Sequence, residues 1–420
     1  MNPTLGLPFP KNKVSFRITI GTMAGFEAKS LCILGRQPAL GLAELESLYG
    51  PEHIQPLSGT ALLDLEAGDI NFKRLGGCIK VAKVLASLPG AGWNDIKKYL
   101  LENVPKHLAH APAGKFTLGL SFYGLAPPVT EINKLALDIK RASGRPLRVV
   151  PNKSATLNSA QVLHNKLTSK GAWELLLVKN GQRTILAQTF FVQDIEAYGA
   201  RDQARPKRDA RVGMLPPKLA QIIINLAAGP LDHEIENKTK IRVLDPFCGT
   251  GVVLQEALLM GYSVLGSDIE PRLVGYSEEN LKWLVARQPK IEGNVALEAA
   301  DATSATWPRF TTVGSEVYLG RPLAKLPEPA KLKEIISDVD TIIKKFLKNL
   351  APQLKSGRPV CLALPAWRQP NGQLIKLPII DQLTDMGYNY MDLKHVGRQD
   401  LVYFREDQVV ARQLIRIARK

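Results

Sequence analysis

Cysteine is scarce: Cys32, Cys78, Cys248 and Cys361 are the four in a chain of 420 residues. They lie too far apart for a Cys-x-x-Cys metal pair or a disulfide framework, which leaves them as buried free thiols. The six histidines are equally scattered. His107 and His110 can share a helix face, but no further ligand set stands beside them, so no metal is expected. Long apolar runs are missing too, and with no stretch of about 18 apolar residues no membrane span is expected. Met1 to Ser15 carries Pro and Lys where a signal peptide needs its apolar core, so the reading is a cytoplasmic protein. What is present is ample: 45% hydrophobic residues over this length excludes a disordered or fibrous chain and allows two or three domains with cores of their own.

Acidic side chains are also in short supply, 39 Asp+Glu against 55 Lys+Arg, and the deficit is uneven. Residues 1–212 carry 28 basic against 16 acidic side chains, net +12, while residues 213–420 carry 27 against 23, net +4. A basic excess in one half suits a polyanion held by one module and modified by another; a merely solvated surface is the alternative.

Ile241-Arg-Val-Leu-Asp-Pro-Phe-Cys-Gly-Thr-Gly251 is the stretch with chemistry in it. An apolar run stops at Asp245, turns through Gly249 and Gly251, and continues as an apolar helix from Val252 to Met260. Such a strand is covered on both faces, the glycines admit a ligand close to the backbone, and the helix turns its free N–H groups to the loop. The next strand, Tyr262 to Gly266, leads to Asp268, a second carboxylate seventeen residues after Gly251 and placed to hold a ribose diol.

Asp245-Pro-Phe-Cys-Gly-Thr-Gly followed by Gly266-Ser-Asp-Ile-Glu-Pro resembles the cofactor motifs of class I S-adenosylmethionine-dependent methyltransferases, particularly those that methylate exocyclic amines. The resemblance implies that Asp245, Phe247, Gly249 and Gly251 face the methionine part of the cofactor and that Asp268 takes the ribose hydroxyls. Val295 to Ala300 reads as a third strand ending at Asp301; in the family that carboxylate lies beside the adenine, and by itself it is equally a helix or turn cap.

Upstream, Leu31–Leu34, Ala61–Leu65 and Ile79–Leu85 read as strands, with helices over Leu42–Leu48, Asn71–Leu75 and Asn94–Leu108: a small α+β unit. A second unit runs strand Phe116–Phe122, helix Glu131–Ala142, strand Leu147–Val150, helix Ser159–Lys166, and strands Trp173–Val178 and Thr184–Thr189. Phe116-Thr-Leu-Gly-Leu-Ser-Phe-Tyr-Gly, Ala155-Thr-Leu-Asn-Ser-Ala-Gln-Val and Gln193-Asp-Ile-Glu-Ala-Tyr-Gly-Ala-Arg-Asp resemble the THUMP RNA-binding domain of tRNA guanine-N2 methyltransferases. Arg205-Pro-Lys-Arg-Asp-Ala and Gly213-Met-Leu-Pro-Pro-Lys-Leu-Ala-Gln are similar to what precedes the catalytic domain there. The family's target is the guanosine at position 10 of tRNA.

The implied fold class is α/β: an extension (1–28), a ferredoxin-like domain (29–110), a THUMP domain (111–198), a basic connector (199–218) and a Rossmann-like class I methyltransferase domain (219–420). Arg145, Arg148 and Lys153 in the THUMP-like part, and Arg201, Arg205, Lys207, Arg208 and Arg211 in the connector, are candidates to touch RNA phosphates. A solvated linker explains any single connector residue as readily.

The fourth strand of the catalytic part, Val313 to Tyr318, departs from its relatives. Amino-methyltransferases of this branch end it in Asp or Asn, Pro, Pro, aromatic; here it reads Ser315-Glu-Val-Tyr-Leu-Gly320. In one register Glu316 takes the acidic position and Gly320 the glycine that often follows; in the other Ser315 replaces the acid and Tyr318 keeps the aromatic place. The reading adopted is Glu316 as acceptor for a target amine and Tyr318 as a stacking wall for a flipped base. The function expected is methyl transfer from S-adenosyl-L-methionine to the N2 amine of a tRNA guanine. The rivals are a non-catalytic RNA-binding protein with a degenerate site and an rRNA guanine-N2 methyltransferase. Mono- against dimethylation, and a small activating protein subunit as a second partner beside tRNA, stay open.

Overall fold

The computed structural model describes residues 26–209 and 215–420. The expectations placed on residues 1–25, on Arg211 and on Gly213-Met214 lie outside the described residues. The chain divides into two compact units, one of residues up to Gly35 with 52–73 and 78–195, the other of residues 36–51, 74–77 and 196–420.

The first unit is built on one eight-stranded sheet. Its strands are β1 (Ser30–Leu34), β2 (Ile54–Leu57), β3 (Thr60–Leu63), β4 (Cys78–Leu88), β5 (Phe116–Tyr123), β6 (Leu147–Val149), β7 (Ala172–Asn180) and β8 (Arg183–Val192). Their order is β2-β3-β1-β4-β8-β7-β5-β6. Antiparallel pairing of β4 with β8 joins the strands expected of two domains, so a boundary at residue 110 falls within one sheet. β5 has parallel neighbours on both sides, β6 and β7. Parallel neighbours need crossovers, and helix Val129–Ala142 supplies the one from β5 to β6.

Helices Trp93–Leu108 and Val129–Ala142 bury Ile96, Leu100, Val104 and Leu108, and Ile132, Leu135, Ala136 and Ile139, at spacings of three and four that make one apolar stripe each. Both stripes close on Phe116, Leu118, Leu120 and Phe122. Because Leu118 through Phe122 are all buried, the strand lacks clean alternation. The helix expected over 71–75 is a single 3-10 turn, Phe72–Arg74, and the one expected over 159–166 stops at His164. At the centre of the sheet lies a buried ion pair. Lys80 Nζ meets Glu174 Oε1 and the Leu157 carbonyl (2.8 Å), and the glutamate also accepts from Ser121 and Thr189 (2.6 Å each). A charge pair without water is tolerable only with its polar atoms satisfied, as these are.

The second unit holds β9 (Arg242–Asp245), β10 (Ser263–Asp268), β11 (Val295–Ala299), β12 (Thr312–Glu316), β13 (Pro359–Arg368), β14 (Leu374–Lys376), β15 (Tyr388–Tyr390), β16 (Val402–Tyr403) and β17 (Val410–Arg419). The main order is β11-β10-β9-β12-β13-β17-β15. β9 to β13 run parallel, and β17 lies antiparallel between β13 and β15. Helices Pro217–Ala227 and Val252–Leu259 pack together, the former also against β12 and β13. Helix Pro329–Leu350 buries Val339, Ile343, Phe346, Leu347 and Leu350 in a cluster with Leu244, Val313 and Leu362. Helix Pro271–Arg287 follows β10 and was not anticipated in the sequence; nor was helix Ile195–Gln203, which occupies part of the expected connector.

Two early segments of the chain belong to this unit. Glu44, on helix Pro38–Tyr49, accepts from the Gly76 and Gly77 N–H groups (2.9 Å each) and from Asn225 Nδ2 (2.7 Å). Those glycines cannot be replaced cheaply, since a Cβ would stand 2.0 Å from the Lys218 carbonyl oxygen at Gly76 and 2.3 Å from Gly41 Cα at Gly77. Beside them, buried Arg74 donates to Asn225 Oδ1 (2.8 Å), Tyr262 OH (2.7 Å) and Asp232. Among the described residues no helix is long and apolar enough to cross a membrane, and no group of three or more His, Cys, Asp or Glu could hold a metal ion.

Candidate active site

β9 has β10 on one side and β12 on the other, so the chain leaves it in opposite directions and opens a crevice beyond the strand ends. The loop from Pro246 to Gly251 lines that crevice. Gly249 and Gly251 take φ of 52° and 84°, the left-handed region that suits glycine. A Cβ on Gly251 would also stand 2.9 Å from Ser277 Oγ. The Cys248 N–H binds the Ser267 carbonyl (2.9 Å) and Gly251 N–H the Cys248 carbonyl (2.7 Å), which ties the loop to β10 and delivers it into helix Val252–Leu259.

The loop opens into a cavity of about 660 Å³, a size that suits a nucleotide-like ligand. Asp245, Phe247, Gly249, Asp268, Asp301, Glu316 and Tyr318 all line it. Asp245 ends β9 and is buried. Its Oδ1 accepts from Ser315 Oγ at 2.6 Å and from the Phe247 N–H at 3.3 Å. Burial pushes its carboxyl up to about 7, against the pull of those two donors. Asp268 ends β10 and accepts from the Gly249 N–H (2.9 Å) and the Glu270 N–H (3.0 Å); burial raises it as well. Asp301 follows β11 and caps its own turn, accepting from the Thr303 N–H at 2.8 Å. Phe247 is braced edge-on by Phe346, with ring centres 5.0 Å apart.

On the β12 side of the cavity, Glu316 is the last residue of that strand, and its Oε1 accepts from Arg412 Nε at 2.8 Å. Tyr318 is 41% exposed, two residues on. Ser315 is buried against Asp245 and does not line the cavity, whereas Glu316 and Tyr318 do. Several lining residues were not read from the sequence. Ile269, 65% exposed, is an apolar side chain facing out directly after a strand-end carboxylate, and that contrast was visible in Ser267-Asp-Ile-Glu. Arg321 and Lys345 also line the cavity and are exposed. Arg412, 96 residues beyond Glu316, left no local signal.

The basic candidates are spread over both units. Arg145 donates to the carbonyls of Leu108 (2.6 Å), Ala111 (3.2 Å), Gly114 (3.0 Å) and Pro112 and lies over the Phe116 ring, holding its own loop together. Exposed Arg148 reaches Asn165 Oδ1 (2.7 Å), and Lys153 is exposed. In the second unit Arg201 pairs with buried Glu256 (2.7 Å) and covers Tyr198, while Lys207 stands 3.4 Å from Glu279 and over Tyr276. Arg208 is exposed, whereas Arg205 is buried, its Nε and Nη2 without hydrogen-bond partners among the described residues.

This strand order, with an acid–glycine loop at its reversal point, defines a Rossmann-like fold of the class I methyltransferase kind. The crystal structure of TrmN from Thermus thermophilus has the same fold at a TM-score of 0.51, with 15% identity, 94% of this chain covered and all of that one. In sequence, the chain is 38% identical over 120 residues to the tRNA (guanine(10)-N2)-dimethyltransferase of Methanothermobacter thermautotrophicus, covering 28% of this chain and 32% of that protein. It is 28% identical over 165 residues to the protein of the same description from Methanocaldococcus jannaschii, covering 37% and 44%. The chain thus spans about a third of the length of the first relative and less than half of the second. No family model matches the chain.

Proposed function

We propose that the chain is a tRNA methyltransferase that transfers a methyl group from S-adenosyl-L-methionine to the N2 amine of a guanine, the guanosine at position 10 in particular. The observation that carries this is one cavity lined by a glycine loop, by three carboxylates at or just after the ends of β9, β10 and β11, and by a fourth carboxylate at the end of β12 near an exposed tyrosine. Two partial relatives that bear the tRNA guanine-N2 description add to it.

The residues fit the cofactor on grounds of this structure. Gly249 lines the cavity with its backbone at a φ of 52°, Asp268 offers acceptors to a diol, and Ile269 and Phe247 offer apolar walls for a base. When bound, the cofactor supplies an electrophilic methyl on a cationic sulfur, and the carboxylates of Asp245, Asp268 and Asp301 around the cavity suit that charge. A guanine amine is a poor nucleophile, its lone pair drawn into the ring. Glu316 holds the amine by accepting from its N–H, and Tyr318 stacks on the extruded base. The first unit and the residues around Arg201 to Arg208 supply phosphate contacts, exposed Arg148, Lys153 and Arg208 most directly.

Nucleoside mass spectrometry of a tRNA transcript incubated with the full-length protein and S-adenosyl-L-methionine tests the reading. Mono- or dimethylated guanosine, lost when guanosine 10 is replaced by adenosine, is the expected product. A protein that binds both ligands and leaves every guanosine unmethylated, with Val317 standing where the motif it resembles has proline, is the non-catalytic RNA-binding protein instead.

A further inference from the structure

Glu316 closes β12, and its pairing partner in β13 is Ala363. Arg412 sits on β17, on the far side of β13, opposite Pro365. It reaches across β13 to the end of β12. The Arg412 side chain is 6% exposed and that of Glu316 13%. Arg412 Nε donates to Glu316 Oε1 at 2.8 Å, and Nη1 donates to Gln408 Oε1 at 3.0 Å. Among the described residues Glu316 Oε2 has no hydrogen-bond donor. One oxygen is anchored, and the other remains for whatever enters the cavity that Glu316 lines.

We propose that Arg412 is a positioning residue, fixing Glu316 so that its second oxygen meets an amine brought into the cavity. The identification of that amine as guanine N2 rests on the function proposed above; the positioning itself does not. Desolvating a guanidinium and a carboxylate together gains little stability over apolar packing. What the pair gives is orientation, because a planar fork held at Gln408 on one nitrogen and at Glu316 on another sets the carboxylate's direction in a way an ammonium cannot. The amino-methyltransferase motif that this stretch resembles carries two prolines where this chain, in the register with Glu316 as the acid, has Val317 and Tyr318, and a side-chain anchor takes over the task. The distance along the chain explains why no motif shows it.

A double-mutant cycle on the full-length protein tests the proposal with Glu316→Gln, Arg412→Gln and the double variant. Three quantities are read: single-turnover methyl transfer to a tRNA transcript, calorimetric affinity for S-adenosyl-L-methionine, and fluorescence of a tRNA with 2-aminopurine, which keeps the 2-amino group, at position 10. Arg412→Gln should lower the rate by about 10- to 100-fold, the size of coupling between contacting residues. Cofactor affinity should stay unchanged, the double variant should be no slower than Glu316→Gln alone, and Arg412→Lys should regain only part of the rate. Losses that multiply in the double variant, or that appear equally in cofactor affinity, overturn the proposal. If Arg412→Gln does not fold because it strands a buried carboxylate, Arg412→Lys, which keeps the charge and loses the fork, takes its place in the cycle. A wild-type protein that transfers no methyl ends the guanine-N2 reading and leaves the cycle to the fluorescence: a shared loss keeps the positioning role, and independent losses or no signal end it.

Discussion

The two walls of the cavity are held in place by different means. On the loop side, position comes from backbone: two glycines at positive φ, N–H groups of Cys248 and Gly251 on neighbouring carbonyls, and Asp268 fastened by the N–H groups of Gly249 and Glu270. On the other side, position comes from a side chain, with Arg412 on Glu316. A backbone-fixed wall tolerates few substitutions and leaves a short contiguous pattern in the sequence. A wall fixed by side chains can change its residues if a partner elsewhere changes with them.

The largest effect that separates the walls is expected at Glu316. Glu316→Ala should slow methyl transfer by at least about 10²-fold, the usual contribution of a positioned acid or base. Cofactor affinity by calorimetry should not move. Loss of cofactor binding in this variant would mean that the two walls are one site energetically, and the comparison would fail.

Next in size is Asp268→Ala. A hydrogen bond to a charged group contributes about 1.5–3 kcal/mol, so the cofactor should bind about 10- to 100-fold more weakly. The variant also strips the Gly249 N–H of its partner. Saturating cofactor should restore most of the rate, because the far wall is intact; a rate that stays low at saturation would place Asp268 in the chemistry instead.

A smaller effect concerns pH. Asp245 is pushed up to about 7 by burial. Its folded-state value thus exceeds the unfolded one, so its ionisation costs the free protein stability, and that stability falls as pH rises from about 4 towards 7. The ionised form is the one that attracts a cationic ligand. Affinity for S-adenosyl-L-methionine should therefore rise between pH 6 and 8, and Asp245→Asn should flatten the rise. An unchanged slope in the variant would take Asp245 out of the binding site.

The same contrast explains what the sequence made legible. β9, the glycine loop and Asp268 lie within 28 residues, and each is dictated by local backbone needs, so composition and spacing expose them. The parallel core reads from Val243, Leu244, Val313 and Leu362, which have no polar alternation. The single eight-stranded sheet of the first unit was hidden because β4 and β8 are about a hundred residues apart, and only pairing reveals that they are neighbours. Helix Pro38–Tyr49 reads correctly as a helix, while its place in the second unit depends on Glu44 meeting Gly76, Gly77 and Asn225. Arg145 shows the opposite trap: a basic residue in a basic segment, turned to four carbonyls of its own loop.

The smallest expected effect, and the one that sharpens the comparison most, comes from returning proline to the altered strand end. Val317 is buried, and its N–H donates to the Ala363 carbonyl at 3.2 Å, the last link between β12 and β13. Val317→Pro deletes that donor, at a net cost of about 0.5–1.5 kcal/mol, and fixes φ. If the prolines of the motif this stretch resembles and the Arg412 anchor do the same task by different means, the added rigidity is redundant while Arg412 is present. Methyl transfer should then stay within about twofold, a change of roughly 0.4 kcal/mol in the barrier, and thermal denaturation should show only a small loss of stability. The same change in the Arg412→Gln background should recover part of the lost rate, since the backbone would again hold what the side chain no longer does. A Val317→Pro substitution that raised the wild-type rate substantially, or gave no recovery without Arg412, would show that the two devices are not equivalent and that the far wall works in some other way.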